Sequence, residues 1–411
     1  MQNGEGMQLQ TPASSARLTG LDALRGTVMI VMALDHIRDF FHHDAALYSP
    51  TDLARTTPFL FFTRWITHFC MPVFMFSAGA GAYLWWQRAG RGPAHSKNEL
   101  AAFLATRGLW FLLLEVTVMQ FAYNFNFSPT NIVLLLVLYI FGACMLLMAA
   151  LIYLPQRWLA ILSIAIIALH NLLDPIKAAQ FAGHAWLWNI LHQPGFFMAL
   201  NRGVVIAYPL LPWIGVMGCG FCFGPVLTME REKRRRILRN LGVGMIALFL
   251  LLRAINIYGD PARWSMQKSI IFTVLSFFNC TKYPASLDYV LMTIGPALLL
   301  LAWYEDRTFA KNNPLIVFGR VPLFYFILHF YAIHLLLVVF SLIQYGSAAW
   351  RFAFNPLPAL NGDRALYPPG FGYPLWVTYV VWAGLVLLLY PLCRWYAGVK
   401  ARSRSRWLSY L

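Results

Sequence analysis

The sequence predicts an all-α, polytopic transmembrane helical bundle of about ten spans, with both termini cytoplasmic. Three observations carry that expectation. Hydrophobic residues make up 59% of the 411 residues and charged residues only 12%, with a mean hydropathy of +0.59, which is too apolar for a soluble globular domain. Several runs approach or exceed the roughly 20 apolar residues a helix needs to cross hydrocarbon, and period-two alternation is nowhere sustained enough for a membrane β-barrel. Basic residues gather between and after the apolar runs, so the net charge of +16 reads as topology and lipid contact and excludes a nucleic-acid partner.

Residues 1–16 are polar and low in charge, and are expected to form a disordered tail; lacking a basic n-region, they do not make a signal peptide. A single membrane domain is expected over 17–397, followed by a basic cytoplasmic tail over 398–411. The spans are read at about 20–41, 58–87, 101–123, 130–153, 157–174, 203–228, 237–257, 286–304, 314–343 and 374–397. The 88–107 connection (Arg88, Arg91, Lys97, Arg107), the sequence MEREKRRRILR with its six Lys or Arg, and the tail from Arg394 fall on one side. The positive-inside rule makes that side cytoplasmic. Segments 42–57, 124–129, 175–202, 258–285 and 344–373 fall on the other side. Mostly longer, and richer in Pro, Trp and His, they are expected to build a lid or vestibule. The six cysteines lie mostly inside apolar runs, so structural disulfides are not expected.

The first span carries the strongest functional signal. Within an apolar run it holds Asp22, Arg25, Asp35, His36, Arg38 and Asp39, and intramembrane charge is costly enough that it usually serves a purpose. On a helix, Asp22, Arg25, Met29, Met32 and His36 fall within roughly 80° of one another, while Asp35 lies off that stripe. Arg25 and His36 are eleven residues apart, or about 16 Å along the axis. A fixed cation and a titratable imidazole at that separation suit a long anionic ligand bound at one end and reacting at the other. Gly26 would allow close backbone approach there.

Neutral imidazole takes protons near pH 7, so His36 is the leading general base, with Asp39 at i+3 placed to orient it. His43 in the loop HHD and His68 in the second span, where Pro72 loosens the helix, are the further catalytic candidates. Adjacent loop histidines rarely ligate a metal without further ligands, and none is expected. Asp22, Arg25, Lys282 just before a helix N-terminus, Arg320 and His329 are the candidates for binding an anionic donor. His329 and His334 are about 140° apart around their helix and do not form one site by themselves. Cys219 and Cys222 have CxxC spacing but sit in an apolar helix, where packing explains them.

These residues also carry a resemblance. Arg17, Leu21, Asp22, Arg25 and Gly26, in R-x-x-x-L-D-x-x-R-G, followed by ALDHIRDFFH, resemble the opening of the heparan-alpha-glucosaminide N-acetyltransferase-like family, within the wider transmembrane acyltransferases. FFTRWITHFCMPVFMFSAG, YPLLPWIGVMGCGFCFG, TKYPASLDYVLMTIGPALLLLAWYE and NPLIVFGRVPLFYFILHFYAIH look like its bacterial members, and the resemblance covers about 17–397. It implies a multi-pass enzyme of the bacterial cytoplasmic membrane that uses cytoplasmic acetyl-CoA to acetylate an amino sugar or glycan on the far side. It also implies that a histidine near the extracytoplasmic end of the first span, or in the loop after it, carries the chemistry. The animal branch looks to have asparagine at the position of His36 and its histidine in the loop, where this chain has His42 and His43. Membrane lipids are further partners, and a homodimer is left open. The alternatives are O-acetylation of a polysaccharide or glycolipid hydroxyl, and a proton-coupled transporter or flippase, against which the missing inverted repeats argue.

Overall fold

The computed structural model describes residues 19–87, 95–360 and 362–403. Arg17, the 1–16 segment, Arg88 and Arg91, and residues 404–411 of the basic tail lie outside the described residues. The protein is a helical bundle. Its first half contains α1 (Thr19–Phe41), α2 (Pro58–Thr67), α3 (Cys70–Trp86), α4 (Lys97–Leu114), a π turn leading into α5 (Gln120–Asn124), α6 (Val137–Leu151), α7 (Gln156–Leu169) and α8 (Ala185–Leu191). The second half contains α9 (Leu210–Leu227), α10 (Arg231–Ile255), α11 (Ile270–Phe278), α12 (Leu287–Tyr304), α13 (Pro314–Arg320), α14 (Pro322–Tyr345) and α15 (Leu375–Arg402).

Eight helical segments among the described residues are long and apolar enough to cross a membrane, and the chain is a multi-pass membrane protein. Two of the expected spans fall outside that count for physical reasons: α1 is rich in charged residues, and α6 has only 15 residues. Three expected boundaries need correction. The 130–153 and 203–228 stretches open in strands, β1 (Val133–Leu135) and β3 (Arg202–Ile206), which with β2 (Gly195–Ala199) make a small sheet in the order β1-β3-β2. β1 runs parallel and β2 antiparallel to β3. The 314–343 stretch is two helices, because the chain leaves helical geometry at Val321 (φ −129°, ψ 49°) just before Pro322.

α1 is the axis of the bundle and packs against α2, α3, α12, α13, α14 and α15. Its crossing with α13 is set by two glycines. A Cβ on Gly26 would lie 1.8 Å from the Leu315 carbonyl oxygen, and one on Gly319 1.8 Å from that of Asp22. Gly26 therefore admits a helix; it is not the phosphate approach expected from the sequence.

The two ends of the bundle differ. At one end Arg231 and Arg235, at the start of α10, pair with Asp306 beyond α12 at 3.3 and 2.8 Å, and Arg234 pairs with Glu305. The Asp306 carboxyl is held below its usual range by the hydrogen bond from Arg235. At the other end the long segments meet: Asn279 donates to the Thr51 carbonyl at 3.1 Å, Arg202 to that of Ser128 at 3.2 Å, and His43 N–H to that of Tyr373 at 3.1 Å.

Candidate active site

The charged stripe of α1 begins at the end occupied by Glu305. Asp22 is buried and meets Arg320 at 3.7 Å across the α1–α13 crossing. One turn further, Arg25 donates to the Ser77 carbonyl of α3 at 2.6 Å. Arg25, Met29 and Met32 then line a cavity of about 290 Å³, completed by Trp85, Arg107 and Phe326 among others. The expected face of α1 thus reaches a real cavity, and α4 contributes a second guanidinium. Two cations with aromatic and aliphatic walls fit a ligand that is anionic in one part and apolar in another. The volume is at the small end for ligand pockets.

His36 does not line this cavity, so the expected single cavity shared with Arg25 needs correction. Its ring lies beyond Met32, with its centroid 5.2 Å from that of His329 and 4.3 Å from that of Phe330. Phe326, at the cavity wall, packs on both His329 and Phe330 at 5.5 Å. A layer of phenyl rings therefore joins the cationic cavity to a histidine pair. His329 is fully buried, its Nδ1 is 3.1 Å from the Tyr325 carbonyl, and its Nε2 has no hydrogen-bond partner. Donation from Nδ1–H to that carbonyl fixes the tautomer and makes Nε2 a bare acceptor. His329 was expected among the donor-binding residues, but the fold places it with His36.

Asp39 does not orient His36. It is taken by Arg38, at 2.5 Å. Asp35, off the stripe as expected, faces the other way and is bound by Arg38 at 2.9 Å and by Arg64 of α2. Arg64 is a functional candidate that sequence reasoning passed over, although a guanidinium inside an apolar span is itself a signal. Lys282, expected to help hold the donor, is buried over the rings of Tyr283 and Tyr208 at 5.3 and 5.9 Å. It lies within electrostatic reach of Asp35 and His36 and does not line the Arg25 cavity. His68 sits in the break between α2 and α3, buried, with Nδ1 unpartnered and its carbonyl accepting from Tyr289 at 2.7 Å. His43 is exposed, with Nδ1 3.0 Å from the Tyr373 carbonyl and Nε2 3.3 Å from Asp44. Its neighbour His42 is buried, which pushes its imidazole down to about 4, aided by His43.

α1 thus carries Arg25 to a cavity it shares with Arg107 of α4, and His36 to a buried contact with His329 of α14. The family model described as heparan-alpha-glucosaminide N-acetyltransferase, catalytic, matches residues 17–259, which include the whole of α1 and the Arg25 cavity's contributions from α3, α4 and α6. No curated protein matches the chain.

Proposed function

Since the chain belongs to the heparan-alpha-glucosaminide N-acetyltransferase family, whose catalytic model covers more than half of it, we propose that it moves an acetyl group from cytoplasmic acetyl-CoA to an amino sugar or glycan on the opposite side of the membrane. The observation that carries this reading is the placement of Arg25 and His36 on one buried helix, the first at a cationic cavity and the second beside His329. In this reading the chain crosses the membrane ten times, and both termini and the basic start of α10 face the cytoplasm. The membrane is the bacterial cytoplasmic membrane.

Arg25 and Arg107 hold the phosphates of the donor, and the aromatic walls enclose part of its length. At the other end His36 takes a proton from the attacking amine or hydroxyl. The new bond forms to the acetyl carbon, the carbon–sulfur bond breaks, and His36 returns its proton to the departing thiolate. His329 Nε2, a bare acceptor, orients the acceptor group or the His36 ring. For the acetyl group to pass, the phenyl layer at Phe326 and Phe330 must give way, and donor binding would open it.

Two measurements test the reading. Protein purified without added ligand and extracted with acid should release coenzyme A or acetyl-CoA. Incubation with labelled acetyl-CoA and amino sugars should give a labelled product whose stability to hydroxylamine distinguishes an amide from an ester. Failure to consume acetyl-CoA with any amine or hydroxyl acceptor would remove the proposal.

A further inference from the structure

A second cluster lies away from α1, where the segment after α7 folds back on the bundle. His170 opens a short 3-10 turn, Asp174 ends it, and His192 follows α8. His170 and His192 are only 3% and 2% exposed. His192 Nε2 lies 3.1 Å from Asp174 Oδ1, the two imidazole centroids are 5.6 Å apart, and one potential ligand atom from each of the three residues lies within 4.8 Å of the others.

A hydrogen bond between His192 and Asp174 would by itself explain that pair. It leaves His170 unexplained. Neither ring nitrogen of His170 makes a well-formed hydrogen bond, although the Ala285 backbone lies near enough to act on the ring, and Nδ1 of His192 has no partner; buried polar atoms are seldom left bare. His170 offers a lone pair to the centre, and His192 offers one at Nε2, the atom facing Asp174, once its proton sits on Nδ1. Asp174 is prepared as a ligand too: Asn171 donates to its Oδ2 at 2.8 Å, leaving Oδ1 for the centre, while Asn171 Oδ1 accepts from Leu287 N–H at 3.0 Å.

We infer that His170, Asp174 and His192 form a binding site for one zinc ion that pins the 175–193 segment to the bundle. Two imidazoles and a carboxylate are a common zinc set, with bonds of about 2.0–2.2 Å and a fourth position for water. Ligand atoms of a tetrahedral zinc lie about 3.3–3.5 Å apart, so the His192–Asp174 spacing already fits and the cluster closes by about 1–1.5 Å to complete it. Asn171 is the outer partner that orients the carboxylate and ties the site to the start of α12. The other His-rich group, His42, His43 and Asp44, differs: its rings are engaged by the Tyr373 carbonyl and the Asp44 N–H, and it carries no such inference.

The test uses full-length protein purified through a tag free of histidine, stripped with chelator, re-equilibrated with micromolar zinc chloride and measured by elemental analysis. Wild type should hold one zinc per chain and melt at a higher temperature with zinc than without. His42→Ala/His43→Ala should hold the same amount. His170→Ala/His192→Ala should hold none, and Asp174→Asn, which keeps the shape of the side chain, should bind at least 10-fold more weakly. A zinc-free wild type overturns the inference. So does undiminished zinc in Asp174→Asn, which decides the matter should the double histidine variant not fold.

Discussion

His329 and His334 share one helix, and their ring nitrogens separate them. The His334 ring sits between two carbonyls, with one nitrogen 2.9 Å from that of Ala122 and the other 3.0 Å from that of Ala353; its single N–H donates to one of them, and the ring packs between α5 and the segment after α14. His334→Ala should therefore cost about 1–3 kcal/mol of stability while leaving the turnover of folded protein within a few-fold. His329→Ala should show the opposite pattern, which parallel melting and acetyl-transfer assays would resolve. His42 gives a pH prediction. Its folded pKa of about 4 lies below the ordinary value near 6.5, so between those values the unfolded chain binds the extra proton. Stability should fall as the pH drops through that window, and His42→Gln should flatten the fall in melting temperature. The Arg25–Met29–Met32 stripe was legible from helical spacing alone, because it depends only on neighbours along one helix. The partner of Asp39 was not: Arg38 and His36 both lie within reach, and only packing decides between them. The surroundings of Asp174 were not legible either, because its partners stand up to 18 residues away and only the folding of the loop assembles them.

Elements meet where side chains are smallest. With the Leu315 carbonyl 1.8 Å from where its Cβ would lie, Gly26→Ala should push α13 away from α1, and Gly319→Ala should do the same from the other helix. Both should lower the melting temperature and the yield of folded protein. Gly244→Ala on α10 has nothing within 4 Å and should be neutral or stabilising by up to about 1 kcal/mol. Equal losses in all three variants would refute this account of the crossing. Each expected span contains a helix, because long apolar runs state their length in the sequence. The three strands did not show, since runs of three to five residues in apolar surroundings read alike as strand or helix. Nor did the break at Val321, although Pro322 marks a point where a helix can start afresh.

At the scale of the whole molecule, ion pairs among Arg231, Arg234, Arg235, Glu305 and Asp306 gather at one end and the long connecting segments at the other. The proposed transfer across the membrane requires those ends to face different compartments. In a background with the six native cysteines replaced, Thr51→Cys should react with an impermeant thiol reagent added outside intact cells, and Lys233→Cys only after the cells are opened. The central claim is that one helix joins donor binding to proton transfer, and steady-state kinetics of acetyl transfer by wild type, Arg25→Ala and His36→Ala test it most directly. Arg25→Ala should raise the KM for acetyl-CoA by at least 10-fold with kcat little changed, and His36→Ala should keep that KM and lose about 100-fold or more in kcat. A folded, membrane-inserted His36→Ala protein turning over at the wild-type rate would contradict the account.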